Sequence, residues 1–182
     1  IEIEGSENSC EHDVAEEFAG APHFSRIKTL NSSVSVASEA EIVVKCLCPK
    51  VLIVDDNPFN IMALETILGS LEIKCDSVYS GPDAIKKLLA LRDHLCGKEC
   101  KAYSVIFMDQ EMPEMSGADT VREIKRLQGE NLVPLAMRFI GCTAHKAKEE
   151  VDRFLASGLD SCIYKPVSLA MIKDTLKGSV LV

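Results

Sequence analysis

Lys50-Val-Leu-Ile-Val-Asp-Asp-Asn-Pro58 is the segment with the clearest indications of local structure. Residues 51–54 form a short apolar and β-branched run, which is typical of a strand buried on both faces of a sheet. Two carboxylates end this run. Asn57 and Pro58 then mark a helix start, because an asparagine side chain can cap the first turn and proline suits its first position. The stretch therefore predicts a strand, an acidic turn and a helix in direct succession.

The same alternation continues along the chain. Further strands are predicted at 75–79, 104–108, 137–142 and 161–164, and helices begin near Pro58, Gly81, Gly117, Lys146 and Ser168. A polar insertion at 94–102 separates the second helix from the third strand. Strands that alternate with helices in this way predict a doubly wound α/β fold, a parallel sheet between two helical layers. The chemistry of such folds belongs in the crevice beyond the carboxyl ends of the strands.

The acidic charge is concentrated near the N-terminus. The 182 residues carry a formal charge of -8, and residues 1–49 hold -6 of it. We interpret residues 1–49 as a largely disordered acidic linker or tail. This leader has room for a short strand at 41–46, or for a segment that docks on another domain. Residues 50–182 form the predicted globular domain. Because the chain begins with Ile1 rather than methionine, we expect it to be a fragment of a longer protein.

The composition also bears on partners and location. The net acidic charge argues against nucleic-acid binding through a basic surface. No apolar run approaches the roughly 20 residues that cross a bilayer, and no secretory signal pattern opens the sequence. We therefore expect a cytoplasmic chain with no nucleic-acid partner and no direct membrane insertion.

Eight cysteines occur in the sequence, and reduced thiols are their default interpretation in a chain without a secretory signal. Cys142 and Cys162 lie in apolar runs and are predicted to be small buried side chains. A zinc site formed by His94, Cys96 and Cys100 is an alternative, although a fourth ligand is missing nearby in the sequence.

Polar side chains end four of the predicted strands. Asp55 and Asp56 follow the first strand, Asp109 the third, Thr143 the fourth and Lys165 the fifth. Two carboxylates about 5 Å apart repel each other by roughly 3 kcal/mol at an effective dielectric constant near 20. A divalent cation would cancel this charge, and oxygen ligands favour Mg²⁺ or Mn²⁺. The set suits phosphoryl chemistry, with Asp109 as the nucleophile that forms an aspartyl phosphate.

Four motifs in this order carry a family resemblance. They are Lys50-Val-Leu-Ile-Val-Asp-Asp-Asn, Phe107-Met-Asp-Gln-Glu-Met-Pro-Glu-Met-Ser-Gly, Gly141-Cys-Thr-Ala and Tyr164-Lys-Pro. From about residue 50 to residue 177 the chain resembles the receiver domain of two-component response regulators. It is most similar to receivers of eukaryotic hybrid histidine kinases. The resemblance implies a (βα)5 flavodoxin-like fold with a five-stranded parallel sheet in the order 2-1-3-4-5.

The resemblance also implies a role for each matching residue. Asp109 matches the phosphoacceptor, Asp56 a direct Mg²⁺ ligand and Asp55 an acidic residue that acts through water. The backbone carbonyl of Glu111 matches the third protein ligand of the metal, which Asp109 also contacts.

Three further matches concern the phosphoryl group. Thr143 matches the switch hydroxyl, the N–H of Ala144 a phosphoryl donor and Lys165 the phosphoryl-binding lysine. A cis peptide bond is expected before Pro166.

Partners follow from the same resemblance. A receiver takes its phosphoryl group from a phosphohistidine on a histidine kinase or a histidine phosphotransfer protein, and then switches a protein-interaction surface. It catalyses only its own phosphorylation and dephosphorylation. Phe59 and Met62 on the first helix are a candidate docking face. We expect the C-terminal receiver of a hybrid kinase, contacting other domains of the parent chain; a stand-alone regulator is the alternative.

One departure from the family pattern concerns the switch. Receivers commonly carry an aromatic residue three positions before the lysine, and here that position is Cys162. Tyr164 shares a strand face with Cys162 and is expected to pack against the last helix; a role in place of the missing aromatic switch partner is the alternative. His145, next but one after Thr143, is interpreted as a solvent-facing residue, with a role in dephosphorylation as the alternative.

Two other function classes stay open on the sequence alone. A pseudo-receiver would keep the fold as a binding module without phosphoryl transfer. A phosphohydrolase of the haloacid-dehalogenase type would also form an aspartyl phosphate with Mg²⁺. Its nucleophile, however, would end the first strand in an Asp-x-Asp pattern, and this sequence has Asp55-Asp56-Asn57-Pro58 there.

Overall fold

The fold was determined as a computed structural model that describes Cys46, residues 48–91, Cys100 and residues 103–178. Strands and helices alternate strictly within these residues. In chain order they are β1 Val51–Val54, α1 Pro58–Ser70, β2 Cys75–Val78, α2 Gly81–Ala90, β3 Val105–Asp109, α3 Gly117–Gly129, β4 Arg138–Thr143, α4 Lys148–Leu155, β5 Ser161–Tyr164 and α5 Leu169–Leu176. The predicted alternation is therefore confirmed.

The sheet is parallel and its strands lie in the order β2-β1-β3-β4-β5. In the register of the central strands, Val51 is opposite Cys75 on one side and Val105 on the other. Asp109 at the end of β3 is opposite Cys142, and Thr143 at the end of β4 is opposite Tyr164. The doubly wound fold class and its strand order are thus as expected.

Apolar clusters cover both faces of the sheet. On one face, side chains of α2, α3 and α4 such as Leu88, Ile124 and Phe154 pack on the sheet. On the other face, α1 and α5 contribute Leu64 and Ile172 among others. Burial of this kind on both faces explains why β1 and β3 are uninterrupted apolar runs rather than alternating ones.

Polar side chains begin four of the five helices. Asn57 caps α1 by accepting a hydrogen bond from the N–H of Phe59 at 2.9 Å. Ser80, Ser116 and Ser168 cap α2, α3 and α5 in the same way. The N-cap of α4, Ala147, makes no side-chain capping bond. Such a cap typically adds about 1 kcal/mol, so the sequence fixes the other four starts more firmly than that of α4.

The differences from the predicted bounds lie at element ends. α4 begins at Lys148 rather than at the predicted Lys146. Its N-cap residue, Ala147, has no capping side chain that would mark the start in the sequence. β4 begins at Arg138 rather than Met137, because the N–H of Arg138 makes the first bond to the neighbouring strand, to the carbonyl of Ser104 at 2.9 Å. Gly158 ends the α4 region with φ of 112°, as its position predicted.

Several sequence predictions lie outside the described residues. The acidic leader is described only at Cys46, Cys48 and Pro49, so the strand predicted at 41–46 is described only at Cys46. The insertion predicted at 94–102 is described only at Cys100. The division into residues 1–49 and 50–182 stays a prediction. Within the described residues, every helix is too short or too polar to cross a bilayer.

Candidate functional site

Three carboxylates converge at the carboxyl edge of the sheet. Asp55 and Asp56 follow β1, and Asp109 is the last residue of the neighbouring strand β3. One carboxylate oxygen from each lies within 4.8 Å of the others. Asp55 and Asp109 are buried, whereas Asp56 is exposed. The parallel register of β1 and β3 creates this cluster, because it brings two acidic strand ends to the same height.

The carboxylate of Asp55 is held by its own loop and helix. Its Oδ1 accepts hydrogen bonds from the backbone N–H of Asn57 and from the side-chain amide of Asn60, both at 3.0 Å. Its Oδ2 faces Lys165 at 2.7 Å. Asn60 was missed in the sequence; it lies one helical turn after the helix cap Asn57, where a polar residue faces back towards the loop.

Lys165 joins the two buried carboxylates. It follows β5, on the far side of β4 from β3, and its Nζ lies 2.6 Å from Asp109 Oδ1 as well as 2.7 Å from Asp55 Oδ2. Burial alone would lower the pKa of Lys165, but the hydrogen bonds to Asp109 and Asp55 raise it above its ordinary value. The lysine is therefore a fixed positive charge beside Asp109. The peptide bond from Lys165 to Pro166 is cis, as expected.

The carboxyl group of Asp109 has a pKa well above its ordinary value. Burial raises the pKa of Asp109 from its ordinary 3.8 to about 6; the Asp55 charge adds to this rise, and the hydrogen bond from Lys165 opposes it. The Asp109 side chain is 9% exposed, so it is desolvated and still reachable. A carboxylate in this state is a better nucleophile than a fully solvated one and gains strongly from a nearby cation.

The loop after Asp109 is folded tightly against α3. The N–H of Gly117 donates to the carbonyl of Gln110 at 3.0 Å. A Cβ atom on Gly117 would lie 1.9 Å from the carbonyl oxygen of Asp109. Only glycine allows this approach, so Gly117 in the quoted motif fixes the backbone of Asp109.

Thr143 contacts the loop after Asp109 rather than Asp109 itself. Its hydroxyl donates to Gln110 Oε1 at 2.5 Å and accepts from the N–H of His145 at 2.9 Å. Ala144, next in the chain, is exposed at the same edge. Gln110 was not singled out in the sequence, although its position directly after Asp109 was the available signal.

His145 bridges two acidic side chains above this edge. Its Nε2 lies 2.7 Å from Glu111 and its Nδ1 2.8 Å from Glu150. The hydrogen bond with Glu111, together with the charge of Glu150, raises the pKa of His145. The side chain of Glu111 therefore faces His145, which leaves its backbone carbonyl for the role that the family resemblance implies.

The residues at this edge fit a hard divalent cation. Two buried carboxylates, one exposed carboxylate and one lysine leave a net charge of about -2, which a divalent ion neutralises. All donors are oxygens, the ligand type that Mg²⁺ prefers, and the exposed Asp56 leaves access from solvent. Asp55, Asp56 and Asp109 are the carboxylates that would hold it.

Cys162 occupies a small space beside Gly141 and α4. A Cβ atom on Gly141 would lie 2.9 Å from Cys162 Sγ and 2.6 Å from the ring of Phe154. Cys142 is fully buried and Cys162 half-buried, so the prediction holds in full for Cys142 only. Tyr164 is 41% exposed and shares the α4 side of the sheet with Cys162. The expectation that Tyr164 packs against α5 is therefore wrong, because α5 covers the other face.

Comparison with known proteins places these features in a family. The sequence model of the response regulator receiver domain family matches residues 51–177 of this chain. The chain belongs to the response regulator receiver family. The sensor histidine kinase RcsC of Escherichia coli is 36% identical over 126 residues, which are 69% of this chain and 12% of RcsC. Hybrid signal transduction histidine kinase L of Dictyostelium discoideum is 35% identical over 141 residues, 78% of this chain and 8% of that kinase.

Solved structures show the same receiver fold. The receiver domain of the sensor histidine kinase PA1611 from Pseudomonas aeruginosa, described with a magnesium ion in its active site cleft, has a TM-score of 0.57 at 24% identity. The structural match covers 71% of this chain and 94% of the PA1611 receiver chain. The chemotaxis protein CheY4 of Vibrio cholerae has a TM-score of 0.56 at 21% identity, over 71% and 96% of the two chains. The chain is thus a receiver of the kind found in hybrid histidine kinases, and it spans about a tenth of those curated relatives.

Proposed function

We propose that this receiver accepts a phosphoryl group on Asp109 in a histidine-to-aspartate phosphorelay. The observation that carries the proposal is the placement of Lys165 Nζ at 2.6 Å from Asp109 Oδ1, within an acidic cluster that fits Mg²⁺. An acceptor carboxylate, a cation site and a fixed ammonium then meet at one point. Phosphoryl transfer relies on this kind of positioning and charge neutralisation.

The chemical step assigns a part to each residue. An Asp109 oxygen attacks the phosphorus of a phosphohistidine; the new O–P bond forms as the N–P bond breaks, and the imidazole leaves and takes up a proton. Asp56, Asp109 and the Glu111 carbonyl would hold Mg²⁺, with Asp55 acting through water, and the ion would neutralise charge on the phosphoryl oxygens. Lys165 moves from the carboxylates to a phosphoryl oxygen.

Two groups on the loop after β4 complete the phosphoryl site. Thr143 turns its hydroxyl from Gln110 towards the phosphoryl group, and the N–H of Ala144 donates to another oxygen. Because Thr143 now hydrogen-bonds both Gln110 and the backbone of His145, this turn changes the loop between β4 and α4. The structural change is the signal that a partner would recognise.

The test is phosphorylation by a small donor. The protein is incubated with Mg²⁺ and acetyl phosphate, and intact mass is recorded for the wild type and Asp109→Asn. We expect an added mass of about 80 Da in the wild type, which is lost in the variant and with a chelator. If acetyl phosphate leaves the wild type unchanged, titration with beryllofluoride and Mg²⁺ is the second measurement. Failure of both would favour the pseudo-receiver alternative, and turnover of a simple phosphoester would favour the hydrolase.

The donor is proposed to be a histidine kinase or a histidine phosphotransfer protein that docks on α1. Phe59 is 78% exposed and Met62 61% exposed, so the start of α1 presents two large apolar side chains to solvent. We expect Phe59→Ala to slow phosphorylation by a phosphotransfer protein while leaving phosphorylation by acetyl phosphate unchanged. Equal slowing with both donors would contradict a docking role.

The wider context is proposed from the relatives. The two named above are histidine kinases much longer than this chain. We infer that the receiver works beside other domains of a hybrid kinase in the cytoplasm, with residues 1–49 as the linker. Phosphotransfer between this receiver and the kinase domains of the same parent protein would test the inference.

A further inference from the structure

Three cysteines meet at the amino edge of the sheet, opposite the edge that carries Asp109. Cys46 and Cys48 precede β1, and Cys100 precedes β3. These strands are neighbours, with Val51 opposite Val105, and the N–H of Ser104 donates to the carbonyl of Lys50 at 2.8 Å. The two segments that carry the cysteines therefore enter the sheet side by side. The strand order brings together thiols that are far apart in the sequence.

The sulfur atoms have a spacing that suits a metal ion. All three Sγ atoms lie within 4.8 Å of one another, and Cys46 Sγ is 3.4 Å from Cys100 Sγ. Tetrahedral zinc with Zn–S bonds of about 2.3 Å holds its sulfur ligands about 3.8 Å apart. Cys100 is 5% exposed, and Cys46 and Cys48 are half-buried. The cluster is thus partly shielded from solvent.

A positive charge stands next to the sulfurs. Lys50 Nζ lies 3.3 Å from Cys46 Sγ. Three thiolates around a divalent cation have a net charge of -1, which this ammonium neutralises. An ammonium close to a thiol also favours the thiolate, the form that binds metals. Hydrogen bonds from a neighbouring group to a ligand atom are the usual support of a protein metal site.

We propose that Cys46, Cys48 and Cys100 form a Zn²⁺ site at the amino edge of this receiver. Binding releases the three thiol protons, forms three Zn–S bonds and leaves the fourth tetrahedral position to a water molecule. Soft sulfur ligands at this edge and hard oxygen ligands at the other select different ions, so Zn²⁺ and Mg²⁺ bind without competition. The alternative combination of His94, Cys96 and Cys100 stays a prediction, because His94 and Cys96 lie outside the described residues; Cys100 itself lies with the two cysteines before β1.

The zinc ion would cross-link two segments of the chain. Its ligands come from the residues that lead into β1 and from the end of the insertion before β3. It would therefore fix the point where the upstream part of the chain enters the receiver. Because the ligands come together only in the folded protein, bound zinc stabilises the folded state and raises its melting temperature.

The test measures zinc binding by the 182-residue chain. The protein is reduced with a phosphine, freed of metal and titrated with Zn²⁺ against a chromophoric chelator in the presence of excess Mg²⁺. We expect about one tightly bound zinc per chain and a higher melting temperature. Cobalt in place of zinc is expected to give sulfur-to-metal charge-transfer absorption. The triple variant Cys46→Ser, Cys48→Ser, Cys100→Ser should lose all three signals.

Two controls keep the test specific. Cys162→Ser removes a half-buried thiol at the far strand β5 and should keep the zinc, and Asp109→Asn should keep it as well. Zinc retained by the triple variant, or absent from the reduced wild type, would overturn the proposal. So would an oxidised wild type with a Cys46–Cys100 disulfide whose reduced form takes up no metal. Zinc binding and phosphorylation of Asp109 are measured in separate assays, so a negative result for one proposal leaves the other unaffected.

Discussion

The pH dependence of stability provides a direct test of the charge balance around Asp109. The pKa of Asp109 is about 6 in the folded, metal-free protein and is expected to be near 3.8 in the unfolded chain. Between these values the folded state binds a proton more tightly than the unfolded state. Stability therefore falls as the pH rises through this range. The difference between the two pKa values corresponds to about 3 kcal/mol of unfolding free energy.

The perturbation is Asp109→Asn, which has no carboxyl group to titrate. We expect the unfolding free energy of the variant minus that of the wild type to increase by about 3 kcal/mol between pH 3.5 and pH 7. Most of the increase falls between about pH 4 and pH 6. The new amide side chain contributes the same amount to the unfolding free energy at every pH, so this contribution cancels when the two pH values are compared. The desolvation of Asp109, with the repulsion from Asp55, is the physical cause.

The assay is urea denaturation followed by circular dichroism, in a chelator, at several pH values. Asp152→Asn, at an exposed position on α4, serves as the control and should follow the wild type. Saturating Mg²⁺ should raise the stability of the wild type above pH 6 and reduce the difference from Asp109→Asn. A difference that stays flat or falls with pH would refute the reasoning, since it would mean that the Lys165 ion pair balances or outweighs burial.

Three further substitutions test other parts of the site, with Gly129→Ala and Thr143→Ser as matched controls. Gly117→Ala should destabilise the protein by about 1–3 kcal/mol in urea denaturation and weaken Mg²⁺ binding in calorimetry, because its Cβ would lie 1.9 Å from the Asp109 carbonyl oxygen. Gly129→Ala, in open space at the other end of α3, should be neutral or gain up to about 1 kcal/mol. Lys165→Gln should slow phosphorylation by acetyl phosphate on the order of 100-fold, while Mg²⁺ binding persists; an unchanged rate would remove the lysine from the mechanism. Thr143→Ala should keep phosphorylation, lose about 1 kcal/mol of stability and abolish phosphate-dependent shifts in the amide spectrum, which Thr143→Ser should retain.

Most of the fold was predictable because its signals are local and periodic. β1 is a continuous apolar run that ends in two aspartates, and Asn57 with Pro58 starts α1 where the structure does. The bounds of α4 were less predictable, because Ala147 at its start carries no capping group. Strand order is not encoded in any single stretch, and it came from the resemblance to receivers.

The site was predictable in its members but not in its contacts. Parallel strands must deliver their final residues to one edge, so Asp55, Asp109 and Lys165 could be grouped from the sequence. Their pairing could not, because the direction of the Lys165 side chain depends on which carboxylates are buried beside it. The bridge from His145 to Glu111 was missed for the same reason, since it joins loops that meet only in the folded protein.

The packing around Gly141 explains how this receiver can lack an aromatic residue at position 162. The ring of Phe154 from α4 already lies against β4, where a Cβ on Gly141 would be only 2.6 Å from it. A large ring at position 162, on the neighbouring strand, would compete with Phe154 and Leu159 for this space. The small Cys162 side chain avoids that competition. Thr143 contacts Gln110 and the backbone of His145, so a movement of its hydroxyl acts first on the β4–α4 loop rather than on a ring at position 162.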